Sequence, residues 1–481
     1  VADDDAPVFT REAAGRRIHA DVAVDAFAVN VAAVCHGRLN MRISSQRFLA
    51  ILTTVVVIAQ LWLAWRYFGF LTGDDVEVLA EGFHRALGFP YAAWDIRCLF
   101  VPDFFVSPMI RIGSLLGLES TRALAWIATL PFIALTAATV VLVHRLTLQW
   151  TEDELAARTA ATIFALHWIP LGFGSTVYPR TLAMCCIVAA ALIAERRPFL
   201  AGVLVGLAFA DRFSEIIFLV PTLWMARRQW LRIIAGAGIA IVLFSGVYDW
   251  LTWGAPFSSA MKFARLTLVA PDFASRVKYQ APWWYLANIV RWCAPTMLPL
   301  LWIARKRAPW MFIIVPLVAL SAIRHKEVRY LEVMIAFLAI GAGIGAAMLW
   351  QSRRKLAIAL VAISIAWHLA GLRYHARKTM PAVRAAEMLG ADPSVSTVTL
   401  NQIWAYGDRL YFGERMAVRD VGTPIDPARF ALGLQNTDAV AMAETDLDPP
   451  LVEALRRENF VAVKTFRDGP AKAVVVFRRA R

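Results

Sequence analysis

Charged residues are scarce in this chain, at 18% against a hydrophobic content of 59%, where soluble globular proteins carry about 25% and roughly 45–50%. The shortfall runs over most of the length and excludes an ordinary soluble globule, so the bilayer is the expected solvent. Cysteine is equally sparse. The five cysteines, at 35, 98, 185, 186 and 293, have no metal-type spacing, so neither a zinc site nor a disulfide framework is implied, and Cys185 and Cys186 read as packing residues in an apolar run. No G-x-G-x-x-G turn opens a helix, which leaves no soluble nucleotide-binding domain. No internal repeat is strong enough for the symmetric halves of a transporter. The net charge of +14 does not point to nucleic acid, because the basic residues sit in short clusters between apolar runs.

What is present is a long series of such runs. They fall at about 48–71, 121–143, 156–174, 180–194, 198–211, 213–226, 231–250, 283–304, 309–323, 330–350 and 355–372, some short enough to be half-helices. The expected fold is an all-α polytopic membrane protein of about eleven spans. Every second connection is short and basic: Arg42/Arg47, Arg145/Arg158, Arg196/Arg197, Arg227/Arg228/Arg232, Arg305/Lys306/Arg307 and Arg353/Arg354/Lys355. Those connections are assigned to the cytoplasm, and the loops between them and the C-terminal tail to the outer face. From about residue 376 the composition changes. Residues 394–400 and 473–478 have the β-branched content of strands and 451–459 reads as an amphipathic helix, so 376–481 is expected to be a small soluble α/β domain outside the membrane domain of 41–375. Residues 1–40 are acidic, mixed and without periodicity, and are expected to be a disordered extension upstream of a natural start at Met41. The run at 48–65 resembles a signal peptide, but no small-residue cleavage site follows, so it is read as an uncleaved anchor.

Carboxylates concentrate in the first outer loop, where Asp74, Asp75, Glu77, Glu81 and His84 follow the first span. A helix over 75–87 puts Glu77, Glu81 and His84 on one face and the two aspartates at its N-terminus, where an anion is favoured. The loop continues through Trp94, Asp95 and Arg97 into an amphipathic stretch, 100–116, expected at the membrane interface. A second cluster, Arg324-His325-Lys326-Glu327-Val328-Arg329-Tyr330, places cations outside against the usual bias, and phosphate is a ligand that explains them. Arg180, at an outer span start, is within reach of the same region. The pair Asp211–Arg212 reads as a solvated turn, and His144, His167 and His368 read as packing or interfacial residues. No metal site is expected.

Two of these stretches together resemble glycosyltransferase family 22, the polyprenyl-phosphate-mannose-dependent mannosyltransferases. Asp74-Asp75, Glu81 and His84 are similar to that family's D-E-x5-E-P-x-H pattern, and Trp94-Asp95 with Arg97 to its W-E and following Arg. His325-Lys326-Glu327-Val328-Arg329-Tyr330-Leu331 is similar to its H-K-E-x-R-F-L signature, and Arg180-Thr181-Leu182 to its R-T-L segment. Asp75 stands in place of the usual Glu, Gly82 in place of Pro, and Glu332-Val333 where relatives often continue toward Pro.

The resemblance implies a GT-C fold and a lipid donor, polyprenyl-phosphate mannose, acting as co-substrate with no further cofactor. The acceptor would be a glycolipid, a lipid-linked oligosaccharide or an envelope glycan. It implies an inverting displacement with Asp74 as general base and Asp75 beside it, while Lys326, His325, Arg329 and Arg97 stabilise the leaving phosphate and Glu81 and Glu327 orient these cations or bind sugar hydroxyls. High alanine and arginine content points to a bacterium with GC-rich DNA, which would set the protein in the inner membrane with its site facing the periplasm. The competing expectations are a GT-C enzyme using another lipid-linked sugar, such as glucose or an aminopentose, a membrane transporter or flippase, and a non-catalytic partner subunit.

Overall fold

The computed structural model describes residues 44–269, 279–305, 309–376, 380–413, 415–422, 425–468 and 471–480. The expected extension at 1–40 therefore lies outside the described residues, as do Arg42, Lys306 and Arg307 of the basic clusters. The first long helix, α1 (Ser45–Tyr67), starts on a Ser44 cap and ends where Phe68 and Gly69 turn into left-handed backbone. A short turn leads to α2 (Gly73–Leu87), which carries the acidic loop and ends at Gly88 in the same left-handed conformation. A π-helical turn at Pro102–Val106 then runs into α3 (Ser107–Leu115). Phe104, Ile112, Leu115 and Leu116 lie on its exposed side, as an interfacial helix requires.

Among the described residues four helices are long and apolar enough to cross a membrane: Ser45–Tyr67, Thr121–Thr151, Arg227–Trp253 and Val328–Arg373. The other apolar runs form shorter helices, among them α4 (Arg180–Ile193), α5 (Pro198–Asp211) and Trp310–Ala322, of 14, 14 and 13 residues. At 1.5 Å per residue these fall short of a hydrocarbon core about 30 Å thick, so helix length does not support the expected count of eleven. The run at 283–304 also departs from expectation. It breaks into Trp284–Ala287, Ile289–Trp292 and Met297–Ile303, with Cys293 extended between the second and third, just ahead of Ala294–Pro295. A residue next to proline disfavours helical backbone, and the proline itself removes a ladder donor. The two runs expected at 330–350 and 355–372 lie in α6 (Glu332–Ala376), which divides into two helices at the non-helical backbone of Arg353.

Close backbone approach fixes the position of α5. A Cβ on Gly202 would lie 2.0 Å from the Ile233 carbonyl oxygen, and one on Gly236 2.0 Å from that of Phe199. Small residues on both helices thus let the backbones touch, as in small-xxx-small packing, and this sets where Arg212, just past the end of α5, projects.

The C-terminal region is the α/β unit expected. Strands β1 (Thr397–Leu400), β2 (Ala417–Asp420), β3 (Ala439–Ala443), β4 (Phe460–Asp468) and β5 (Ala471–Arg479) form one sheet in the order β2-β1-β3-β5-β4. The first three are parallel, and β5 runs antiparallel to both β3 and β4. One face packs on the helix Pro381–Ala391, and a separate apolar cluster that includes Phe430, Leu434, Leu451 and Leu455 covers the other. This unit rests on the acidic loop. The Tyr411 hydroxyl donates to the Phe68 carbonyl at 3.1 Å, and the Trp404 indole lies over Gly73, one residue before Asp74.

Candidate active site

The site is assembled at one end of α2. Asp74 sits in its first turn, and three guanidiniums from distant segments converge on its carboxylate. Arg97, on the loop after α2, donates to Oδ1. Arg212 reaches Oδ2 at 2.6 Å, and Arg329, in the 3-10 turn Val328–Leu331 ahead of α6, lies 3.3 Å from the same oxygen. Asp74 is largely buried, and burial alone would raise its pKa. The charges of Arg212, Arg97 and Arg329 outweigh that and hold it well below the usual carboxylate range.

Further contacts orient the arginines. Arg97 Nε donates to Glu77 at 3.1 Å, and Arg329 pairs with Glu327, whose other oxygen meets His325 Nε2 at 3.2 Å. Arg180, the first residue of α4, is buried. It pairs with Glu215, donates to the Tyr330 carbonyl at 3.1 Å and to Ser214 at 3.0 Å, and lies over the Tyr330 ring. Arg329 Nη1 and the Tyr178 hydroxyl are buried with no hydrogen-bond partner among the described residues. Buried polar groups are rarely left unsatisfied, so these donors mark a place for a polar ligand. A small cleft of about 30 Å³ opens on the cluster, lined by Asp74, Glu77, Glu81, Trp94, Arg97, Asp211 and Arg212 among others.

The structure thus brings together Asp74, Arg97, Arg180, His325, Glu327, Arg329 and Tyr330, with Trp94 at the cleft wall. Several other expected residues point elsewhere. The Lys326 ammonium donates to the backbone carbonyls of Gln280, at 3.1 Å, and Ile323. Glu81 borders the cleft but its carboxylate is tied to Arg85 at 2.7 Å, and His84 Nδ1 meets the Phe89 carbonyl at 2.7 Å, closing the turn after α2. Asp95 forms an exposed pair with Lys262 at 2.6 Å.

Asp75 differs from its neighbour. Fully buried, it accepts from the Leu71 N–H at 2.8 Å and the Thr72 hydroxyl at 2.7 Å, tying the turn to α2. Burial pushes its pKa up to about 6, against the lowering effect of Arg329 and these two bonds. In the unfolded chain an aspartate titrates near about 3.9, so between that value and 6 the native state holds the extra proton and stability falls as the pH rises. Asp75→Asn is expected to flatten the dependence of melting temperature on pH across that window; an unchanged slope would assign it to other groups.

Gly82 has a packing role here. A Cβ at that position would lie 2.3 Å from Val106 Cγ1, so the glycine allows α2 to rest on the interfacial turn. Gly82→Val is expected to lower stability by about 1–3 kcal/mol, the usual cost of overpacking, read as a drop in melting temperature. An unaffected melting temperature would mean that the contact yields freely.

Arg212 and Glu215 are the residues that sequence reasoning missed, Arg212 because the adjacent Asp211 made it look like half of a solvated turn. One signal was available: Arg212 is a cation on the outer side of the inferred topology, the same irregularity that drew attention to 324–329.

The chain, mostly helical with a small C-terminal sheet, resembles several solved structures in fold. The chain is similar to ArnT from Cupriavidus metallidurans bound to undecaprenyl phosphate, with a TM-score of 0.60 and 15% identity over 90% of this chain and 98% of that one. The apo form of the same protein gives a TM-score of 0.61 at the same identity and coverage. The oligosaccharyltransferase AglB from Archaeoglobus fulgidus, in complex with an inhibitory peptide and a dolichol-phosphate, has a TM-score of 0.50 and 12% identity, over 91% of this chain and 74% of that one. No family model matches the sequence, and no curated protein matches it.

Proposed function

We propose that this protein is an integral-membrane inverting glycosyltransferase that moves mannose from polyprenyl-phosphate mannose to a glycan or glycolipid acceptor on the outer, periplasmic side of the inner membrane. The observation that carries the reading is the triple-arginine grip on one carboxylate at the mouth of a cleft. A carboxylate and a phosphate present the same acceptor geometry to guanidinium forks, so Asp74 occupies in the free protein the place a donor phosphate takes in the complex. That ArnT holds undecaprenyl phosphate on the same fold is consistent with a lipid phosphate as ligand.

In the reaction the acceptor oxygen forms its bond to the anomeric carbon as the bond from that carbon to the phosphate oxygen breaks. The acceptor proton passes to Asp74, and the bonding pair leaves on polyprenyl phosphate. Arg97, Arg212 and Arg329 meet the negative charge that grows there. Asp74 in the free site is ionised but a weak base. Turning the arginines onto the phosphate uncovers the carboxylate and raises its basicity when the acceptor needs it, so the donor binds first. Arg180, fixed by Glu215, holds the 3-10 turn that carries Arg329.

The pH profile tests this order of events. kcat/KM for the donor reports the free enzyme and kcat the loaded one. The acid limb of kcat/KM is expected below the ordinary carboxylate range, following the lowered Asp74, and the acid limb of kcat at higher pH. Coincident limbs would contradict the exchange of partners. A panel of polyprenyl-phosphate sugars, mannose, glucose and an aminopentose, tests the sugar assignment. Turnover confined to a sugar other than mannose would keep the mechanism and change the donor.

A further inference from the structure

α2 and the interfacial segment border a second, open hollow of about 250 Å³, lined by Arg85, Asp103, Ser107, Pro108 and Arg111. The mechanism uses none of these residues. Arg85 is half-exposed. Its Nε pairs with Glu81 and lies 3.4 Å from Asp103 Oδ1. Arg111 gives one nitrogen to the Arg85 carbonyl at 2.6 Å, capping the last turn of α2, and its remaining donors face outward. Asp103 accepts from the Tyr248 hydroxyl on Oδ2, while its buried Oδ1 accepts no hydrogen bond.

The placement of Arg111 is the informative feature. Phe104, Pro108, Arg111, Ile112 and Leu115 fall at helical spacing on one side of the segment, and Phe104, Ile112 and Leu115 are exposed large apolar residues. A guanidinium set in an apolar stripe at the membrane surface is stabilised by a phosphate at headgroup depth. Beside it, Asp103 offers an acceptor for a donor group next to that phosphate.

We propose that this hollow is a binding site for the headgroup of a membrane phospholipid, and specifically for phosphatidylethanolamine. The phosphodiester sits on Arg111 and Arg85, and the ammonium donates to Asp103 Oδ1. Both signs of charge line the hollow, which matches a zwitterion better than a simple anion, and a choline headgroup has no N–H to give Asp103. The acyl chains follow the exposed strip from Ile112 to Leu115. A lipid held here braces the interfacial segment against α2.

The test is native mass spectrometry of the intact protein, released from nanodiscs of equal phosphatidylethanolamine, phosphatidylglycerol and phosphatidylcholine. One phosphatidylethanolamine is expected to be retained in roughly tenfold excess over the others, the scale of one charge-assisted hydrogen bond. Arg111→Gln keeps an amide donor for the Arg85 carbonyl and should abolish retention. Asp103→Asn should keep a retained lipid but lose the preference for ethanolamine over choline. Equal retention of the three lipids, preference for phosphatidylglycerol, or retention unchanged in both variants would overturn the proposal. Stoichiometric displacement of the lipid by polyprenyl phosphate would also overturn it, by making the hollow part of the donor cleft.

Discussion

Asp74→Asn is expected to cut sugar transfer by roughly 10²–10⁴-fold, the range that positioned proton transfer contributes, while the affinity for polyprenyl phosphate rises. The two effects share one cause. Asparagine cannot take the acceptor proton, and it no longer competes as an anion for Arg97, Arg212 and Arg329. Freed from that carboxylate, the three guanidiniums bind a phosphate more tightly by about tenfold, if one charge-assisted bond of roughly 1.5 kcal/mol is released. Three clustered cations without their anion repel one another, so the variant should melt earlier than the parent and regain stability when polyprenyl phosphate is added. Kinetics and a binding titration on the same preparation check it. Weakened phosphate binding with normal turnover would assign Asp74 to positioning alone.

Arg212→Ala carries the second large effect. This side chain is about nine-tenths buried and is 2.6 Å from Asp74 Oδ2. Its loss removes a charged hydrogen bond worth roughly 1.5–3 kcal/mol, or about ten- to a hundredfold in donor affinity. It also removes part of the charge that stabilises the departing phosphate, so kcat falls together with donor affinity. Arg212→Lys restores charge but not the fork and should recover only part of each loss. A binding assay with sugar-free polyprenyl phosphate separates the effects. An unchanged affinity in Arg212→Ala would remove this residue from the phosphate site.

The sequence made some of this legible and hid the rest for identifiable reasons. Helices long and apolar enough to span a membrane, the helix after the first of them, and the small α/β unit followed from apolar run length, helical spacing and β-branched clusters. All three are local properties. The pairing of Asp74 with Arg329 joins segments about 255 residues apart; the sequence places both charged loops on one side but does not show that these two side chains meet. Arg212 escaped because its partner is remote and its neighbour Asp211 offered a nearer explanation. Lys326 shows the reverse limit: a cation in a charged motif looked like a phosphate ligand, yet its ammonium turns to the carbonyls of Gln280 and Ile323. Residue type fixes what a side chain can do, and the backbone turn decides where it points. The contrast between Asp74 and Asp75 has the same origin. Adjacent positions on α2 point about 100° apart, one into the arginines and one into the turn at Leu71–Thr72.

The most direct measurement is mannose transfer by the purified protein in liposomes, from polyprenyl-phosphate mannose labelled in the sugar, with released polyprenyl phosphate quantified in the same sample. The expected result is one polyprenyl phosphate released per mannose transferred, with inversion at the anomeric carbon and loss of both signals in Asp74→Asn. Absence of transfer from every polyprenyl-phosphate sugar tested, while polyprenyl phosphate still binds, would contradict a glycosyltransferase and leave a lipid-phosphate carrier in its place.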